Sequence, residues 1–269
     1  MGQTLTDEAF FVPDGAGRFR GTAHTIGPWS TDAMHFGPPA ALLGRSVEAL
    51  PVPVPMRVAR ITFEILRPVP VAGALQVTAD LVRPGKRVAL AEARLTADGQ
   101  DVALARAWLM RTTDLEVPDA AREGPPTPGP DEASTNQFFP HTLDVHYGST
   151  MEVRFVSGSF LDLGPAVAWF RSPIALVSDE DMTPLQRVLV AADSGNGISA
   201  VAAPTDLVFV NTDLTVHLHR YPVGQWVCMN ARTTLDPSGI GQADTVLSDE
   251  TGRIGRSAQS LYVAPPPPR

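Results

Sequence analysis

The sequence predicts an α+β fold built twice along one chain, and three observations carry that expectation. Thr62, Arg67, Pro84, Gly99 and Ala105 recur as Thr215, Arg220, Pro237, Gly252 and Ala258, each pair 153 residues apart. In both halves a proline-led apolar helix precedes a run of alternating strands, the order of a helix packed on an antiparallel sheet. The period far exceeds that of solenoid or propeller repeats, so each copy is a domain-sized unit.

From Asp7 to Thr22 short apolar pieces alternate with Gly15, Gly17 and Gly21, which predicts an opening strand or hairpin. Pro38 and Pro39 then lead Ala40 to Leu50, where proline suits a first turn and the apolar residues keep helical spacing. Strands are predicted over 58–66, 75–83, 88–96 and 102–111, separated by Gly73, by Pro84-Gly85 and by Asp98-Gly99, the last a strong hairpin signal. The stretch over 117–134 is Pro-rich and has linker composition. The second copy repeats the plan with strands over 151–156 and 166–170, then a helix with Thr183 as N-cap and Pro184 as its first residue. That helix ends around Asp193 to Gly197, and strands over 207–218, 225–235, 241–248 and 254–263 follow. The expected division is a first unit over 1–116, a Pro-rich linker over 117–148, a second unit over 149–264 and a flexible tail over 265–269.

Composition narrows the function. With 43% hydrophobic and 19% charged residues the chain suits a globular protein, and its net charge of −8 argues against a nucleic-acid partner, which needs a basic face. The only cysteine is Cys228, so no internal disulfide can form, and the first residues lack the basic and apolar regions of a signal peptide. No apolar run approaches the roughly 20 residues that span a bilayer. A cytoplasmic protein without a membrane partner is the expectation.

The two copies agree in turns and apolar pattern but differ in polar groups: at the repeat offset Val58 corresponds to Asn211, and Arg106 to Gln259. One active site per chain is the expectation, with the other copy as scaffold or binding wall. His35 to Leu43, Leu66-Arg67-Pro68, the helix end at Asp193, Asp213 to Arg220 and Gly252 to Gln259 form an ordered set of motifs over nearly the whole chain. That set resembles the acyl-CoA thioesterase II (TesB-like) family, and the resemblance implies a double hot dog fold, two tandem units in which a curved antiparallel sheet wraps a helix. It also implies hydrolysis of an acyl-CoA by water without a cofactor or metal, and a homodimer. In that family an Asp, a Thr and a Gln hold the hydrolytic water; Asp193 and Gln259 match the first and last, while Asn211 stands in place of the Thr.

Thioester hydrolysis needs a base for the attacking water and donors where negative charge develops on the carbonyl oxygen. Asp193 is the candidate base, with Asn211 and Gln259 orienting water and carboxylate. Backbone N–H groups near Gly37 are candidates to polarise the carbonyl, and His35, Phe36 and Gly37 to contact substrate, His35 either lining the pocket or packing beneath the first helix. Without a Gly-x-Ser-x-Gly elbow, and with no His near Cys228, direct attack by water is preferred to a covalent nucleophile. Trp29, Phe36 and Trp226 could wall an acyl chain or be core, and Arg57, Arg60, Lys86 and Arg87 could meet coenzyme A phosphates or simply be solvated. His217 and His219 share a strand face but have no third ligand at metal spacing. Two other readings stand beside the thioesterase. One is an acyl-CoA binder that has lost hydrolysis, suggested by Asn211. The other is an enoyl-thioester hydratase, whose Asp-x-x-x-x-His signature with Asn-Pro is missing.

Overall fold

The computed structural model describes residues 8–121, 124, 128–135, 141–203 and 205–266. Part of the expected linker, and the expected tail from 267 onward, lie outside the described residues. Strands β1 (Ala9–Pro13) and β2 (Arg18–Gly21) form the opening hairpin, followed by helix α1 (Gly37–Glu48) and strands β3 (Met56–Ile65), β4 (Leu75–Arg83), β5 (Val88–Ala97) and β6 (Gln100–Arg111). The expected linker contributes a short strand β7 (Ser134–Thr135), and a one-turn helix α2 (Tyr147–Thr150) straddles its boundary with the expected second unit. Then come β8 (Glu152–Ser157), β9 (Ala166–Arg171), β10 (Ala175–Val177), α3 (Pro184–Ala192), the single turn α4 (Gly195–Ile198), β11 (Val208–Asn211), β12 (Asp213–Leu218), β13 (Val227–Leu235), β14 (Ile240–Asp249) and β15 (Gly252–Ala264).

Among the described residues all strands join one sheet in the order β10-β1-β2-β4-β5-β6-β3-β12-β15-β14-β13-β9-β8-β7, with β11 paired to β15. The two copies meet where β3 pairs antiparallel with β12, Thr62 lying opposite its own repeat partner Thr215. Their hydroxyls are 3.2 Å apart, so a pseudo-twofold axis passes between them. Alternation sets the faces: Ile61, Phe63, Leu214 and Val216 point inward and are wholly buried, while Thr62 and Thr215 face outward. The fold is the α+β double hot dog expected. No helix among the described residues is long and apolar enough to cross a membrane.

Inside the sheet α1 and α3 run antiparallel, each start against the other's end. Helix α3 carries its own cap: Thr183 Oγ1 accepts from Gln186 N–H at 3.2 Å and Gln186 Oε1 accepts from Thr183 N–H at 3.2 Å, the reciprocal capping box. Helix α1 has no side-chain cap, leaving its first N–H groups to find acceptors elsewhere. Glycine lets the helices touch. A Cβ on Gly37 would lie 2.2 Å from the Val190 carbonyl oxygen, and one on Gly44 2.3 Å from Leu189 Cδ1.

The predicted single strand over 207–218 is broken. Asn211 lies opposite Leu261 of β15 while Thr215 lies opposite Ala258, so the β11–β12 side carries one extra residue, at Thr212. Such a bulge reverses the alternation and turns Asn211 to the inner side, where strict period-2 spacing from Leu214 would have put it outside. The first copy has the same device at the equivalent place: register shifts between Val58 and Arg60, making Ala59 the extra residue. There the inward residue is the buried Val58.

Candidate active site

Asp193 caps the C-terminal end of α3 and is buried. A helix C-terminus disfavours an anion, whereas the start of α1 facing it favours one, and the N–H groups of Phe36 and Gly37 donate to the carboxylate. Asn211 Nδ2 donates to Oδ1 at 2.8 Å. Gln259 Nε2 donates to the same oxygen at 3.2 Å and to the Asp193 carbonyl at 3.1 Å, while its Oε1 accepts from Asn196 N–H at 3.1 Å. Burial is the largest influence on the carboxyl and pushes it up to about 6, against the hydrogen bonds from Asn211, Phe36, Gln259 and Gly37, which favour the anion. The result is a carboxylate ionised at neutral pH and more basic than an ordinary Asp.

His35 sits beside it. Its Nδ1 lies 3.4 Å from Asp193 Oδ2, but burial drops the imidazole to about 3, so the two do not form an ion pair at neutral pH. Gly37 N–H donates to Nδ1 at 3.1 Å. The ring stacks on Tyr147 with centroids 3.7 Å apart and planes 7° from parallel. Tyr147 in turn donates its hydroxyl to the Val190 carbonyl at 2.8 Å and lies 3.0 Å from Ser194 Oγ. Sequence reasoning missed Tyr147 and Ser194. Tyr147 falls in the expected linker, where no periodicity marks it, yet it ties the ring of His35 to the end of α3.

A cavity of about 500 Å³, the size of a small-molecule site, opens onto these groups. Asp193, Asn211, His35 and Phe36 line it, together with Met34, Val69, Phe160 and Phe209 on the apolar side and Arg67 and Trp29 among its other walls. Gln259 and Gly37 are not among the lining residues; both act on Asp193 from behind. Trp29 and Phe36 thus wall the cavity, whereas Trp226 packs with Trp169 and Cys228 in a separate cluster. The cation on the wall is Arg67, and Arg57, Arg60, Lys86 and Arg87 are absent from it. His217 is flanked by Arg60 and Arg256 across the strands on the outer face, and no cluster of three or more His, Cys, Asp or Glu suited to a metal occurs among the described residues. Cys228 is buried and its thiol is pushed up to about 12, which leaves it unreactive.

Residues 25–110 match the family model of the acyl-CoA thioesterase N-terminal domain, and residues 118–263 match that of the acyl-CoA thioesterase C-terminal domain. No curated protein matches the sequence. Among solved structures, a protein from Thermobifida fusca YX provisionally described as a thioesterase II is similar at 16% identity, with 94% of this chain and 95% of that one covered and a TM-score of 0.74. A hot dog protein of unknown function from Alicyclobacillus acidocaldarius follows at 17% identity, covering 95% and 96%, with a TM-score of 0.71. The acyl-CoA thioesterase II TesB2 of Mycobacterium marinum is similar at 13% identity, covering 96% of each chain, with a TM-score of 0.67. At such identities these likenesses speak for the fold.

Proposed function

The chain belongs to the acyl-CoA thioesterase family, and from that premise we propose that Asp193 is the general base of a thioester hydrolase that splits an acyl-CoA into free acid and coenzyme A. The observation that carries the reading is the buried carboxylate raised to about 6 at the wall of a largely apolar cavity. A general base works best with a pKa near the operating pH. Asn211 spends its Nδ2 on Asp193, which leaves its carbonyl oxygen to accept from the attacking water. Gln259 acts one step back, aiming the carboxylate. The acyl chain lies against Phe36, Met34, Phe160 and Phe209, and Arg67 meets a coenzyme A phosphate. Water attacks directly, because the buried Cys228 is not on the cavity wall.

We place one hydrolytic site in each chain of two units over 1–116 and 149–264, its base Asp193 from the second unit and much of its cavity wall, His35 and Phe36 included, from the first. Family resemblance supports a homodimer, and the single buried cysteine suits a cytoplasmic setting. The test is thiol release from a panel of short, medium, branched and aromatic acyl-CoAs. Release from at least one is expected; thermal stabilisation by several without release from any would turn the reading to an acyl-CoA binder.

Two further outcomes follow. The base must be ionised, so kcat/KM is expected to fall with acidity through a single limb near 6, where Asp193 takes up its proton. Gln259→Ala removes a donor that favours the anion, so that limb should move to higher pH, with kcat reduced more than KM is changed. A limb that stays in place in the pH–rate profile counts against this role. Arg106, the repeat partner of Gln259, is exposed on the outer face and paired with Glu92. Arg106→Ala should therefore leave kcat and KM at wild-type values; loss of turnover there would argue for a second site.

A further inference from the structure

We propose that His35 is the electrophile of this site, its Nε2–H donating to the thioester carbonyl oxygen as negative charge develops there; this rests on the hydrolytic reading above. The backbone donors that the sequence offered for that task are spent. Phe36 and Gly37 N–H turn to Asp193, and Gly37 N–H also to His35 Nδ1. Nδ1 lies 3.1 Å from Gly37 N–H and 3.4 Å from Asp193 Oδ2; the shorter contact, in which Nδ1 accepts, assigns the proton of the neutral imidazole to Nε2. That N–H has no acceptor among the described residues, and the side chain keeps 11% of its surface open where it lines the cavity.

The ring is also held for the task. Tyr147 stacks on one face, and the contact of Nδ1 with Gly37 sets the in-plane orientation. The titratable side chains packed against the ring are Asp193 from the end of α3 and Tyr147 from α2; β11 and β15 bring the uncharged Asn211 and Gln259. Burial keeps the imidazole neutral, so it polarises a carbonyl without giving up a proton, and a fixed donor in a water-poor cavity needs no reorganisation. In the reaction, water oxygen bonds to the carbonyl carbon while one of its protons passes to Asp193. The carbonyl π pair moves onto oxygen, where Nε2–H holds it. The pair then returns, the C–S bond breaks and sulfur takes the proton from Asp193, giving acid and thiol.

Three measurements test this. Long-range proton–nitrogen spectra of the wild-type chain should show His35 protonated at Nε2 and bare at Nδ1 across neutral pH; a proton on Nδ1 overturns the proposal and needs no variant. His35→Phe, which can still stack on Tyr147, should lower kcat about 100-fold with KM changed less than about threefold. His35→Gln, which can bring an amide N–H toward the same place, should recover about tenfold of that loss. Finally, the infrared carbonyl band of hexanoyl-CoA labelled with carbon-13 at C1 should move to lower frequency on binding to Asp193→Asn, and should not move on binding to the Asp193→Asn, His35→Phe double variant. An equal shift in both rules His35 out. Should Asp193→Asn still release thiol, the base assignment falls while the band still tests His35, because it reads polarisation of the carbonyl and not proton transfer.

Discussion

Asp193→Asn is expected to lower kcat for acyl-CoA hydrolysis by about 10³-fold, the scale of a lost general base, with the fold and substrate binding retained. The amide fills the space of the carboxylate, and its oxygen can still accept from Asn211 and Gln259, which reach Oδ1 in the native chain. What it cannot do is take a proton from water. Nothing nearby replaces it: the imidazole of His35 is held at about 3 by burial and is a far weaker base, and the hydroxyl of Tyr147 is committed to Val190 and Ser194. Thiol release measured beside calorimetric binding of a non-hydrolysable S-alkyl coenzyme A separates the two effects. A rate within about tenfold of wild type, with the fold intact, would remove Asp193 from the mechanism.

Gly37→Ala should be nearly as damaging, by a route that begins in packing. The new Cβ would stand 2.2 Å from the carbonyl oxygen of Val190, a backbone atom that no rotamer change can move aside. Helices α1 and α3 must separate, at a cost of about 1–3 kcal/mol for such overpacking. Their separation draws the Phe36 and Gly37 N–H groups from Asp193 and leaves a buried carboxylate with fewer donors. The expected result is a lower denaturation midpoint in urea together with a loss of kcat of about 100-fold, since small misplacements at a reacting centre cost that much. A variant with native stability and native turnover would show that the helices do not meet as described.

The sequence made the architecture legible because duplication repeats its signals. Apolar alternation and the turns at Pro84-Gly85 and Asp98-Gly99 locate the strands of the first copy, and Thr183 with Pro184 locates the start of α3 to the residue. The pairing of α1 with α3 was not legible, because nothing in the sequence around Gly37, read as a substrate contact, or Gly44, read as a helical glycine, marks the neighbouring helix that packs on them. Thr212 was hidden for a different reason: a bulge changes parity without changing composition, so 207–218 reads as one unbroken strand. Asn211 was nominated through family resemblance, but period-2 spacing from Leu214 would have pointed it the wrong way. Gln259 reads as a strand residue with an amide, and only its contacts with Asp193 and Asn196 show that it acts behind the cavity wall. Tyr147 carried no signal, since its partners His35, Val190 and Ser194 are far away in sequence.

The pairing of β3 with β12 bears on how the chain is made. During synthesis the first copy can complete its β3–β6 ladder at once, but the other edge of β3 must wait about 150 residues for Thr215 to emerge opposite Thr62. Over that interval the nascent chain presents unpaired N–H and C=O groups along β3, the kind of edge that templates association between neighbouring chains. At about 5–20 residues per second this exposure lasts from several seconds to half a minute. The surroundings of that edge help it through the wait: Arg60 and Glu64 sit on its outer face with opposite charges, a polar fringe of the sort that discourages wrong partners. A slow ribosome or a crowded polysome thus bears on the yield of this protein through the antiparallel seam between β3 and β12, one of the two strand pairings, with β1–β10, that join its halves among the described residues.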